Sequence, residues 1–129
     1  MQNSTLEGRL GWAVFEYDFS LHGGAISAIT VGPKLLPPGA IIMDGIVHVK
    51  TACLGSSGTL QIMAVGTDDI LTATNVSALT LNALIDIVPD GTAANAIRCT
   101  AYTQLTFTIA TTAFTAGVVA CGLRWGMTA

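Results

Sequence analysis

The sequence predicts an all-β fold: an antiparallel β-sandwich or jelly roll of about eight strands, with a flexible N-terminal arm and at most one short helix. Three observations predict it. Apolar residues recur with a period of two in most segments, Gly and Pro turns separate those segments at intervals of about 8 to 14 residues, and no amphipathic run is long enough for a core helix. The chain has 129 residues, a length that one hydrophobic core commonly serves. Residues 12–129 are therefore expected to form a single domain behind an arm of residues 1–11.

Residues 1–11 are polar and carry Gly8 and Gly11, which suits a segment outside the core. In residues 12–19, Phe15, Tyr17 and Phe19 share one face while Glu16 and Asp18 fall on the other, the pattern of a half-buried strand. Gly23-Gly24 ends it. Residues 26–31 are a second short strand closed by Gly32-Pro33, and Leu35-Leu36-Pro37-Pro38-Gly39 is a stiff turn, since two prolines fix φ and glycine frees it. Residues 41–51 are rich in β-branched side chains, as a central strand requires. Residues 59–65 return across the flexible turn Gly55-Ser56-Ser57-Gly58, so the two segments are expected to pair as a hairpin. The one helical signal lies at residues 68–75, where an aspartate follows Gly66-Thr67 as an N-cap. Residues 79–88 are a less regular apolar stretch ended by Pro89-Asp90-Gly91. Residues 97–103, 105–110 and 118–125 supply the remaining strands.

Composition excludes several functions. Charged residues make up 10% of the chain, against roughly 25% in an average soluble protein, and hydrophobic residues 51%. The net charge is -3, and the five basic residues Arg9, Lys34, Lys50, Arg98 and Arg124 are scattered, so no nucleic acid partner is expected. Mean hydropathy is +0.64, yet no run of about 18 apolar residues occurs, which removes a helical membrane span. A membrane barrel would need an export leader and aromatic girdles at both interfaces. The first eight residues carry neither a positive nor an apolar leader segment, and four of the eight aromatics crowd into Trp12, Phe15, Tyr17 and Phe19. Cys53, Cys99 and Cys121 are odd in number and far apart, so reduced, buried thiols are expected, in keeping with synthesis in a reducing cytoplasm.

Chemistry is equally sparse. His22 and His48 adjoin no nucleophile motif, and Asp44 and His48 on one strand face would stand roughly 13 Å apart, too far for an orienting hydrogen bond. No catalytic residue, cofactor or metal site is expected, and the protein is not expected to be an enzyme. Asp68-Asp69 could meet Asp86 or Asp90 around calcium, but no calcium-loop spacing supports this, and an acceptor for free backbone amides is the simpler role. Trp12, Phe15, Tyr17, Phe19 and Trp125 are the candidate core and subunit-interface residues. As a sugar-stacking platform, the aromatic strand would instead suit a β-sandwich binding module that recognises a receptor or glycan.

Residues 36–42 (Leu-Pro-Pro-Gly-Ala-Ile-Ile), Gly58-Thr59-Leu60-Gln61-Ile62, residues 69–77 and the threonine-rich residues 105–117 together resemble the small jelly-roll decoration, or cement, proteins of tailed bacteriophage heads. The resemblance covers about residues 31 to 125. It implies a structural virion protein that binds the outer surface of an assembled capsid, with the major capsid protein and further copies of itself as partners, often as a homotrimer. A surface so short of charge is consistent with cover by partners.

Overall fold

The computed structural model describes residues 9–66, 69–87 and 97–127. Nine strands run through them: β1 (Arg9–Asp18), β2 (Ser27–Leu36), β3 (Ile41–Leu54), β4 (Thr59–Met63), β5 (Leu71–Asn75), β6 (Leu84–Ile87), β7 (Ile97–Arg98), β8 (Thr103–Ala110) and β9 (Ala116–Met127). One four-residue helix, α1 (Phe19–His22), follows β1, and a 3-10 turn (Val76–Ala78) follows β5. Of the segment expected as an arm, Arg9 to Gly11 belong to β1; the remainder lies outside the described residues.

All strand pairs are antiparallel. One sheet has the order β1-β9-β3-β6, with β7 pairing the start of β3, and the other has the order β2-β8-β4-β5. The chain changes sheet at each step from β1 to β4, again between β5 and β6, and at both steps from β7 to β9. This is the jelly-roll connection pattern, and it matches the expected fold class.

Three local expectations need correction. The segment at 41–51 and the one at 59–65 do not pair: β3 lies between β9 and β6 with both edges occupied, so β4 joins β8 and β5 in the other sheet. The turn between them is pressed against the β8–β9 loop. A Cβ at Gly58 would meet the Thr112 carbonyl at 2.6 Å, which reserves that position for glycine. The helical signal is also wrong, because residues 71–75 form β5, with Leu60 opposite Thr74 and Ile62 opposite Leu71. Cross-strand pairing outweighs a cap-like aspartate, and Thr72 and Thr74 suit a strand. Asp68 lies outside the described residues. Asp69 accepts hydrogen bonds from the amides of Ala64, Val65 and Gly66 at 2.7 to 2.9 Å, so its carboxylate does satisfy free N–H groups, in a turn and not at a helix start. Finally, β2 continues past Gly32-Pro33 to Leu36, with the register shift between Val31 and Leu36 absorbing the proline.

Alternation then builds the core. Along β8, Leu105, Phe107 and Ile109 point inward and are fully buried, while the residues between them are not. Phe15 and Tyr17 of β1, Val47 and Val49 of β3, Leu60 and Ile62 of β4, and Val119, Cys121 and Leu123 of β9 meet them from both sheets. Among the described residues no polar or charged side chain is buried, which leaves the interior without a desolvation cost of that kind.

Phe107→Ala, which removes a ring stacked 6.3 Å from Tyr17, is expected to cost about 3–5 kcal/mol in urea unfolding, whereas the outward Thr108→Ala should cost no more than about 0.5 kcal/mol.

Candidate functional site

The fold exposes two unlike sheet faces. Apart from Lys34, every charged residue of the described strands belongs to the five-stranded sheet. The other sheet turns out a neutral surface, with Thr30 opposite Thr106 and Gln61 opposite Thr108. Chemistry on the outside is therefore concentrated on one side.

Register arranges that side in rows. Trp12, Arg124 and Asp44 lie side by side across β1, β9 and β3, and Val14, Gly122, Ile46 and Asp86 form the next row across β1, β9, β3 and β6. Arg124 grips Asp44 with two hydrogen bonds, Nε at 3.0 Å and one terminal nitrogen at 2.7 Å. Lys50 reaches Glu16 at 2.7 Å. Both pairs are about half exposed, so each contributes roughly 0–1 kcal/mol and orients side chains more than it stabilises them. Between the rows lies a shallow groove of about 380 Å³ lined by Trp12, Asp44, Gly45, Ile46, Asp86 and Ile87.

The five residues singled out from the sequence separate into core and surface. Phe15 and Tyr17 have essentially no exposed area and belong to the core, so they offer no contact surface. Phe19 leaves the strand alternation, starts α1 and packs partly buried against the core. Trp125 is also partly buried, lying across Gly11, while Trp12 lies across Gly122 and stays 55% exposed. The two tryptophans lie where the terminal strands pair, but on opposite faces of the β1–β9 ribbon, so they do not pack on each other. Each occupies the space that a side chain on the facing glycine would take. Around Trp12, the outward Leu10 and Val14 are exposed too, so the face of β1 opposite Phe15 and Tyr17 is apolar through Val14 and acidic only at Glu16 and Asp18. Sequence reasoning missed Leu10, Val14 and Ile46, and weighed Asp86 only as a calcium ligand. The parity of Leu10, Trp12 and Val14 was a usable signal; nothing in sequence spacing joins Ile46 or Asp86 to them.

The titratable groups serve structure. The Tyr17 hydroxyl donates to the Gly23 carbonyl at 2.6 Å, and its ring stacks on His22 at 5.8 Å. Burial, with smaller effects from Cys53 and Asp18, pushes this phenol up to about 12. His22 accepts from the Asp18 amide through Nδ1, and Asp18 is held below the usual carboxylate value by the Ser20 hydroxyl and amide. Cys53, Cys99 and Cys121 are free and buried; burial raises Cys53 to about 11 and Cys121 to about 12, and raises Cys99 as well. Thiols so far from ionisation are poor nucleophiles. Among the described residues no three His, Cys, Asp or Glu side chains gather as a metal site would require.

Comparison with known proteins adds the fold relationship. No protein-family description and no curated protein sequence matches the chain. Solved structures do. A chain in the capsid asymmetric unit of cyanophage Pam1 superposes with a TM-score of 0.64 at 19% identity, covering 93% of this chain and 86% of that one. A chain in the acidic stable capsid structure of Helicobacter pylori bacteriophage KHP30 gives 0.64 at 10% identity, covering 93% and 89%, and one in the capsid of Ralstonia phage GP4 gives 0.62 at 14%, covering 92% and 84%. The protein thus has a jelly-roll fold that also occurs in phage capsid structures.

The Tyr17 phenol holds its proton more tightly in the folded chain than at its ordinary value of 10, so its contribution is complete below pH 10 and is lost as pH rises toward 12. The thiols act in the same direction from pH 9 upward. Tyr17→Phe should therefore show a shallower loss of urea stability between pH 10 and 12 than the unmodified chain, after an offset of about 0.5–1.5 kcal/mol at neutral pH from the lost hydrogen bond.

Proposed function

We propose that this chain is a structural protein of a phage virion, a capsid decoration or cement protein that binds the outer surface of an assembled head and bridges its subunits. The observation that carries this reading is the jelly roll shared, over more than nine-tenths of the chain, with chains of three phage capsid structures. The sequence resemblance to phage decoration proteins points the same way. So does a surface that carries few charges while exposing Leu10, Trp12, Val14 and Leu84 on one sheet face.

The mechanism is mechanical. A rigid sandwich contacting more than one capsid subunit buries apolar area at roughly 25 cal/mol per Å² and holds the subunits together against the outward pressure of packaged DNA. Each further contact is intramolecular once the first is made, so modest individual contacts add up to a tight hold. In this reading self-association as a trimer multiplies those contacts, and the N-terminal arm ahead of β1 serves to reach a neighbouring subunit or the shell. The partners are the major capsid protein and further copies of the chain; no catalysis, cofactor or nucleic acid contact is involved. Burial of Phe15 and Tyr17 removes most of the aromatic platform that a glycan-binding tail module would use, which favours the capsid reading over that one.

Heads that lack this protein should release DNA at a lower temperature than heads that carry it, and purified protein added back should restore the difference. Equal heat resistance, with no copies bound to the particle, would reject the clamp.

A further inference from the structure

We propose that the groove on the outward face of the five-stranded sheet, between Trp12 and Asp86, receives an arginine or lysine side chain of a partner protein. At about 380 Å³ the groove is at the small end of ligand sites, with room for one long side chain and its neighbours. Gly122 places no side chain between Val14 and Ile46. The indole of Trp12 fills that gap and reaches from β1 over β9, leaving Ile46 of β3 between the ring and Asp86 of β6. Neighbouring strands lie about 4.8 Å apart, so a side chain of arginine length laid over Ile46 reaches both walls.

Charge selects the occupant. Asp44 has both oxygens engaged by Arg124 and is neutralised. Asp86 lines the same groove, is exposed, and has no hydrogen-bond or ion-pair partner among the described residues. What remains free is one carboxylate, one indole face and one isoleucine. A basic side chain satisfies each: its methylene stem covers Ile46, its head pairs with Asp86, and a guanidinium or ammonium is attracted to the Trp12 ring. A sugar fits less well, because its hydroxyls need donors as well as acceptors and the lining side chains offer only the indole N–H as a free donor. The chain's net charge of -3 also draws a cationic surface toward it. The inference rests on the capsid reading only for the partner's identity, which would be a basic residue displayed by the shell.

The first test uses the isolated protein. Titration with N-acetyl-arginine amide, followed by the Trp12 indole and Ile46 methyl signals in NMR, should give a saturable shift that uncharged N-acetyl-citrulline amide and N-acetylglucosamine do not reproduce. Asp86→Asn should weaken that binding about threefold, the size of an exposed ion pair. No saturable shift, equal response to the uncharged probe, or a response to the sugar alone overturns the proposal. The second test uses purified heads: Asp86→Lys should lose binding, while Thr30→Lys on the neutral sheet should keep it. Equal binding by Asp86→Lys also overturns it. If the unmodified chain fails to bind heads, the capsid reading falls and the titration alone judges the groove.

Discussion

Insertion of the last strand between the first and the third is the constraint on which the rest of the molecule depends. β9 pairs with β1 over ten residues without a break and with β3 over nearly its whole length. That one placement joins both ends of the chain into a single sheet, occupies both edges of β3 once β6 is added, and forces β4 into the opposite sheet. It also determines parity. With Ala13, Phe15 and Tyr17 facing inward beside Cys121 and Leu123, the outward rows of Trp12, Arg124 and Asp44 and of Val14, Gly122, Ile46 and Asp86 follow without further choice. A slip by one residue would expose the aromatic core and bury two ion pairs.

The stabilising terms divide unevenly between inside and outside. Inside, apolar side chains from two sheets pack with no buried polar side chain among the described residues, and the Tyr17 hydroxyl donates to the Gly23 carbonyl. Burial of that kind is worth about 1.5–3 kcal/mol for each large side chain. Outside, the two ion pairs are half exposed and contribute little each. The few charges on this protein therefore do more to shape a surface than to hold the fold. Their concentration on one sheet, with Lys34 the exception among the described strands, gives the molecule a more charged side and a threonine-rich side.

That division bears on function. The proposed capsid role would need a body that does not deform and a surface that discriminates between neighbours. The reciprocal seating of Trp12 on Gly122 and Trp125 on Gly11 serves both, because it stiffens the β1–β9 ribbon while leaving one indole outward. The edge strand β1 is apolar on both faces from Leu10 to Phe15 apart from Gly11, and such an edge is normally covered in an assembly.

The all-β class, the turns at Pro37-Pro38-Gly39 and Gly55 to Gly58, the buried thiols and the shared strand face of Phe15 and Tyr17 were legible in the sequence, since each depends on local φ preference, side-chain character or a two-residue period. The reading went astray where local and long-range signals competed. Residues 71–75 looked helical from their neighbours and became β5 because an open edge of β4 was waiting, and β3 and β4 looked like a hairpin because sequence adjacency cannot reveal that β3 is already paired on both sides. Only the tertiary structure decided which of the aromatics reached the surface and which residues joined Trp12 there. Asp44, Ile46, Asp86 and Arg124 come from three strands far apart in the chain, and their meeting is a consequence of register, a quantity defined between strands and carried by no single segment.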